Sequence, residues 1–333
     1  MSADFLNPVA LEVLQHYSRL LWSGSPQPLG NHGGFSGARL WQIDGPAGPL
    51  CLRAWPAGFP PERLLFIHLC ITCARNAGLA FVPRMLPSLH QTLRIDYGGR
   101  LWELQEWLSG EADYHRRPSS VKLRAACAAL ARLHACWPSS DRFNAKPCPA
   151  VRRRLEAVRE WRELVRSGWQ PLAQAAPDDP ARQAAERAWQ ILSHRIDAIP
   201  DLLKRWNTRI WPLQPCLCDV WHDHVLFDGN HVTGVVDYGA MKIDHPAVDV
   251  ARLLGSLVED DPAGWTTGLT AYREVRPFTA EEEELARALD VAGTTVGASV
   301  WLRWLYHDGK EFADRVAAAR RLEVLVKRIE KWY

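Results

Sequence analysis

The stretch Asp219-Val220-Trp221-His222-Asp223-His224-Val225-Leu226-Phe227, followed by Asp228-Gly229-Asn230 and then Thr233-Gly234-Val235-Val236-Asp237-Tyr238-Gly239, constrains this chain more than any other. Asp-Gly-Asn between two β-branched and aromatic runs is a tight-turn signal, so Val225 to Phe227 and Val232 to Val236 are expected to pair as a short antiparallel hairpin. Such a hairpin brings the loop before its first strand close to the end of its second. The eighteen positions between Asp219 and Asp237 then collapse to one site. A divalent cation bridging phosphate oxygens needs oxygen ligands such as Asp237, and a separate carboxylate such as Asp219 can orient or deprotonate an attacking hydroxyl. Aspartates that merely cap loop turns are the plainer alternative.

The rest of the chain divides into two kinds of pattern. Ala38 to Ile43 and Leu50 to Trp55 flank an Asp44-Gly45-Pro46-Ala47-Gly48 turn, and Thr92 to Asp96 and Arg100 to Leu108 flank Tyr97-Gly98-Gly99. These read as two hairpins. Between them, Pro61 to Ala77 carries Leu64, Leu65, Ile67, Leu69 and Ile71 at helical spacing, with Pro60-Pro61 suited to a first turn. From Ser119 the pattern becomes helical: Ser119 or Ser120 can cap a run with Leu123, Cys127, Leu130, Leu133 and Trp137 on one face. Further helices are expected at Ala150 to Ser167, Pro180 to Ile196, Pro246 to Val258, Thr279 to Leu305 and after Lys310. The fold class is therefore α+β, with a boundary at Ser109-Gly110: an amino-terminal lobe of residues 1–108, an antiparallel sheet with one helix, and a larger, mainly helical lobe of residues 109–333.

Composition narrows the partners. Forty basic and 38 acidic residues in 333 give a formal charge of +2, which provides no field for nucleic acid or an anionic membrane and leaves a small ligand. No stretch approaches the ~18 apolar residues of a membrane span, and the start lacks a secretory pattern, so a cytoplasmic protein is expected. Eight scattered cysteines read as reduced thiols, and Cys70-Ile71-Thr72-Cys73 as buried helix core. Oligomeric state, monomer or homodimer, stays open. Thr279 with Glu282 can make a capping box, and Glu281 to Glu284, which could otherwise be taken as an acidic subsite for a cationic aminoglycoside, read as first-turn acids that offset the helix dipole.

Three segments in order carry a family resemblance: Leu217-Cys218-Asp219-Val220-Trp221-His222-Asp223-His224-Val225-Leu226, then Gly234-Val235-Val236-Asp237-Tyr238, then His245-Pro246-Ala247-Val248-Asp249-Val250-Ala251. They resemble the aminoglycoside phosphotransferase and choline kinase group, small-molecule kinases with a bilobal protein-kinase-like fold. The resemblance implies transfer of the terminal phosphate of ATP or GTP to a hydroxyl of a small molecule, such as an aminoglycoside, amino alcohol or sugar-like compound, with magnesium or manganese. It makes Asp219 the catalytic aspartate and Asp237 the metal aspartate. His224 stands where the family has a second, asparagine metal ligand, and a structural histidine is the alternative. Asp249 becomes a buried carboxylate bonding backbone amides of the catalytic loop.

The amino-terminal segments fit the same frame. Gly30-Asn31-His32-Gly33-Gly34-Phe35-Ser36-Gly37 resembles the loop that folds over nucleotide phosphates, with Gly33, Gly34, Ser36 and Gly37 at the contact positions. Arg53 occupies the place of the phosphate-pairing lysine, and Glu106, Trp107 and Leu108 that of the strand that reads the adenine edge. The helix that usually gives the cation a glutamate reads Phe66-Ile67-His68-Leu69 there. Leu217, Cys218 and Asp223 also depart from the family pattern, replacing a histidine and two glycines. Two other readings stand beside the kinase: a nucleotide- or metabolite-binding pseudokinase, and a zinc hydrolase using His222 and His224, which would share a face if they lay on a strand.

Overall fold

The computed structural model describes residues 6–29, 37–137, 145–312 and 314–332. The chain forms two compact units, Met1–Trp137 with His222–Gly239, and Pro138–Trp221 with Ala240–Tyr333.

In the first unit, helix α1 (Leu6–Leu14) precedes strands β1 (Ser23–Pro28), β2 (Arg39–Asp44) and β3 (Leu50–Ala54), helix α2 (Pro61–Asn76), and strands β4 (Met85–Leu86), β5 (Ile95–Tyr97) and β6 (Arg100–Glu106). The sheet runs β1-β2-β3-β6-β4, with β5 on β6, and every pair is antiparallel. The two expected hairpins are present as β2–β3 and β5–β6, and β3–β6 pairing merges them. Alternation places Trp41, Leu52, Trp102 and Leu104 in the core, where Trp41 stacks on Trp102 at 5.2 Å between ring centroids. Pro61 opens α2, which buries Leu64, Ile67, His68, Cys70 and Ile71. Leu65 and Leu69, expected on the apolar face, are exposed, as is Cys73, whose Sγ lies 3.5 Å from the Cys136 carbonyl. The Cys-x-x-Cys run is thus half core.

Helix α3 (Ser120–Cys136) is capped by Ser119, whose side chain accepts from the Lys122 amide, and it buries Leu123, Cys127, Leu130 and Leu133. It groups with the sheet in a compact unit whose first stretch ends at Trp137. The hairpin Val225–Asp228/His231–Val235 belongs here too, for a visible reason. Phe227 exchanges two main-chain bonds of 2.9 Å with Glu111, and Thr233 Oγ1 donates to the Ser109 carbonyl at 2.7 Å. Gly110 allows that approach: its φ is +102°, and a Cβ would strike Thr233 Oγ1 and come within 2.8 Å of the Phe227 carbonyl oxygen.

The second unit contains α4 (Pro149–Arg166), α5 (Arg182–Arg195), the short α6 (Ile199–Leu203), α7 (Ala247–Leu257), α8 (Pro262–Arg273), α9 (Ala280–Tyr306) and α10 (Arg315–Trp332). Two small strand pairs accompany them, Lys146–Pro147 with Ile210–Trp211 and Gln214–Cys216 with Lys242–Asp244. The long α9 begins with the expected capping box of Thr279 and Glu282. Gly255 of α7 leaves room for Asp290 of α9, whose carboxylate is gripped at 2.6 Å by Arg328 of α10. Helix α8 escapes the apolar pattern because Gly264 and Gly268 lie on its buried face; its start is set by Asp261, which accepts from the Ala263 and Gly264 amides. Among the described residues no helix is long and apolar enough to cross a membrane.

Candidate active site

The expected hairpin is present and brings His224 to Asp237. Val225 pairs with Val235 and Asp228 with His231, with a register shift between Leu226 and Phe227, and Gly229 takes φ +57° in the turn. One step further the Val236 amide donates to the His224 carbonyl at 3.0 Å. His224 Nε2 consequently lies 3.7 Å from Asp237 Oδ2. Asp237 has φ +61°, uncommon for a residue with a side chain, and its Oδ1 accepts from the Gly239 amide at 3.3 Å. Arg63 of α2 donates to the Gly239 carbonyl at 2.6 Å, tying the segment after Asp237 to the helix.

Arg53 Nη2 stands 3.8 Å from Asp237 Oδ1. Burial acts on the Asp237 carboxyl most strongly and raises its pKa, but Arg53, His224 and the Gly239 amide together outweigh it and hold the group below the usual carboxylate range. Asp237 is therefore an ionised, half-exposed carboxylate throughout neutral pH. Its separations from Arg53 and His224 exceed hydrogen-bond length, and an oxygen plus an imidazole nitrogen is a donor set that suits a divalent cation whose remaining positions go to water and phosphate.

Arg53 does have a carboxylate neighbour, though not from the helix. Arg53 of β3 and Glu103 of β6 are cross-strand partners, and Arg53 Nε lies 4.0 Å from Glu103 Oε1. His68, from the α2 window that should hold the glutamate, meets the other oxygen of Glu103 at 2.7 Å. Glu103 is 2% exposed. The helix contributes an imidazole and the sheet contributes the acid.

The other positions expected to touch nucleotide are placed as follows. Gly37 has φ +77°, while Gly33, Gly34 and Ser36 lie outside the described residues. The Glu106 side chain is held by Arg75 and Arg84 at 3.1 and 3.0 Å, and the Glu106 and Trp107 amides donate to the Arg84 and Pro49 carbonyls. Leu108 packs against Gly234, where a Cβ would come within 3.1 Å of the Leu108 Cβ.

Asp219 belongs to the second unit. It follows the strand Gln214–Cys216 in a loop fixed by Asp249 of α7, a fully buried carboxylate that accepts from the Leu217 and Cys218 amides, both at 2.6 Å. Cys218 adopts φ +63°, so it takes a glycine-like backbone in spite of its side chain. Asp219 Oδ1 accepts from Arg252 Nε and Nη2 at 3.1 and 2.9 Å. Replacing Asp249 by alanine takes the acceptor from the buried Leu217 amide and the partly buried Cys218 amide, the buried one costing about 1–3 kcal/mol. Thermal unfolding of Asp249→Ala is expected to occur several degrees lower than in the wild type.

The model of the phosphotransferase enzyme family matches residues 29–287. The chain belongs to that family. The Pseudomonas aeruginosa protein named homoserine kinase is 31% identical over 125 residues, an aligned stretch that covers 32% of this chain and 38% of that relative. Among solved structures, a spectinomycin phosphotransferase in complex with ADP and spectinomycin has a TM-score of 0.67 at 12% identity, covering 99% of this chain and 98% of that one. An aminoglycoside phosphotransferase from Alicyclobacillus acidocaldarius has a TM-score of 0.64 at 14% identity, with coverages of 96% and 92%. These neighbours share the fold: an antiparallel amino-terminal sheet and a mostly helical remainder.

The geometry corrects the zinc reading at its premise. His222 and His224 lie in a single 3-10 turn and not on a strand, His222 packs its ring edge against His115 at 4.2 Å, and His224 faces Asp237. Among the described residues, no group of three close His, Cys, Asp or Glu ligand atoms includes either histidine. Two residues were missed by sequence reasoning. Glu103 is found only through strand register, whereas Arg252 had a signal: three positions after Asp249 on one helix, it shares the face turned to the Asp219 loop.

Proposed function

We propose that this phosphotransferase transfers the terminal phosphoryl group of ATP or GTP to a hydroxyl of a small molecule. The observation that carries the reading is the ionised Asp237, flanked by His224 and Arg53 at the end of one hairpin, in a family of phosphotransferases. Asp219 would accept the hydroxyl proton, and Arg53, held by Glu103, would grip phosphate oxygens through its planar donors. Asp237 and His224 would hold magnesium or manganese, which when bound offsets the charge on the phosphates. Gly33, Gly34, Ser36 and Gly37 would supply amides to the phosphates. Glu106, Trp107 and Leu108 would present backbone to the base; with the Glu106 and Trp107 amides already committed, the Leu108 amide and the carbonyl groups carry that role. The spectinomycin phosphotransferase neighbour, solved with ADP, supports a nucleotide, and the homoserine kinase relatives put homoserine into the acceptor panel.

Two departures that favoured a pseudokinase have neighbours in the fold that bear on them. Asp249 keeps its bonds to the Leu217 and Cys218 amides although Leu217 stands in place of the histidine, and Glu103 of β6 is the carboxylate beside Arg53 that α2 does not provide. The pairing has its own test: Glu103→Gln is expected to raise the nucleotide KM about tenfold while the protein stays folded, the size of one charge-assisted interaction. An unchanged KM would remove Glu103 from the positioning of Arg53. The reading as a whole is tested by following labelled phosphate from ATP and GTP into a panel of amino alcohols, hydroxy acids, sugars and aminoglycosides, with magnesium and with manganese.

A further inference from the structure

The Cys-x-x-Cys run of α2 has no part in the site described above, and the fold brings a third thiol to it. Cys73 is exposed, Cys70 is buried one turn earlier on α2, and Cys136 is half-buried as the last residue of α3. Two contacts hold the end of α3 against this turn of α2. The Trp137 indole N–H donates to the Cys70 carbonyl at 2.9 Å, and Cys73 Sγ lies 3.5 Å from the Cys136 carbonyl oxygen. The thiols also feel one another: burial first, and then charge on Cys73, pushes Cys70 up to about 12 and Cys136 up to about 11. The other thiols of this unit, Cys51 and Cys127, are buried.

Of the two neighbours, Cys136 is the better partner for Cys73. Cys70 and Cys73 lie three positions apart inside one unbroken helix, which keeps their Cβ atoms about 5–6 Å apart, whereas a disulfide needs about 3.5–4.5 Å. Cys136 is under no such constraint. Its Sγ donates to the Leu133 carbonyl at 3.1 Å, and a thiol is a weak donor. Rotation about the Cys136 Cα–Cβ bond gives up only that contact, and α3 ends there, so no following helical turn restricts it. Exposure of Cys73 sets the order of events, because it is the sulfur that a dissolved reagent reaches, and a bond made there stays open to reduction.

We propose that Cys73 and Cys136 are a redox couple, which a small-molecule disulfide closes into a reversible bond between α2 and the end of α3. The Cys73 thiolate attacks one sulfur of the small disulfide; a mixed disulfide forms, and the other half leaves as a thiolate that takes up a proton. Cys136 then gives its proton to water and attacks the Cys73 sulfur, and the second half leaves in the same way. Two thiols have given up two electrons and two protons, and the small disulfide has become two thiols. Burial holds Cys136 as the thiol, so its attack is the slower step. The bond forms on the helix whose Arg63 bonds the Gly239 carbonyl and whose His68 bonds Glu103. None of this chemistry depends on the kinase reading.

Thiol counting with peptide mapping tests it. The native protein is equilibrated with reduced and oxidised glutathione at a series of ratios, quenched in acid, unfolded and labelled with a maleimide. Fully reduced protein takes eight labels, one for each cysteine. The oxidised form is expected to take two fewer, to release one disulfide-linked pair of peptides that contains Cys73 and Cys136, and to regain both labels in excess reduced glutathione. Cys73→Ser, a substitution at an exposed position, is expected to keep all of its remaining labels at every ratio. Cys136→Ser should stop at the glutathione adduct on Cys73. Eight labels on the wild type at every ratio, a glutathione adduct on Cys73 that never resolves, or a bond that joins Cys73 to Cys70 or excludes Cys73 would overturn the proposal.

Discussion

Asp237→Ala is expected to reduce phosphate transfer by about 10²–10³-fold, the equivalent of several kcal/mol of charge stabilisation. The substitution removes the half-exposed carboxylate that stands between His224 and Arg53 and leaves Glu103 as the carboxylate beside Arg53. A metal-loaded nucleotide would then lose its fixed oxygen ligand, and the nucleotide KM measured at several magnesium or manganese concentrations should rise with the metal requirement. The fold should tolerate the change, because the side chain packs no core and the hairpin is held by its own ladder and by Glu111 and Ser109. The pH dependence follows from the same contacts. Since the folded-state pKa is depressed, Asp237 keeps its charge through the ordinary carboxylate range, and its contribution to stability and to cation binding is lost only as pH falls through that depressed value.

Asp219→Asn should act on a different quantity. It preserves size and can still accept a hydrogen bond from Arg252, yet it cannot take a proton from the attacking hydroxyl, so kcat is expected to fall about 10²–10⁴-fold. Nucleotide affinity, carried in this reading by Arg53, Asp237 and the glycine-rich loop, should change little. Titration with a nucleotide analogue separates the two variants: Asp219→Asn binds as the wild type does, and Asp237→Ala binds weakly with the metal present. A pair of variants with the same phenotype would mean that the two aspartates do not divide the work in this way.

The sequence made the hairpin legible because its information is local. A two-sided apolar pattern, a turn with Asp228, Gly229 and Asn230, and an eighteen-residue separation define which ends approach. The helix starts at Ser119 and Thr279 were legible for the same reason, since a capping side chain bonds within its own first turn. Contacts that depend on register or on chain-distant packing were not. Glu103 becomes the partner of Arg53 only once β3 is set against β6, a pairing that joins segments about fifty residues apart. The boundary expected at Ser109-Gly110 follows the end of a strand, whereas the compact units keep α3 and the hairpin with the sheet through Glu111, Phe227 and Thr233. Arg252 lay between these cases, readable by helical phase from Asp249 but invisible as a partner of Asp219 until the loop conformation with Cys218 at positive φ was known.

The departures from the family pattern acquire physical content in this way. Leu217 is buried and leaves loop support to Asp249, Cys218 accepts a conformation that glycine would adopt at lower cost, and His224 brings an imidazole to a place where an amide oxygen is usual. An imidazole ligand favours manganese relative to magnesium, so the metal dependence of turnover reports directly on whether His224 coordinates.

The most direct measurement is transfer of labelled terminal phosphate from ATP to the acceptor panel by the wild-type protein, Asp219→Asn and Asp237→Ala side by side, with metal present. The expected result is transfer by the wild type and a loss of at least about a hundredfold in each variant. Transfer at wild-type rates in both variants would contradict the assignment of this site.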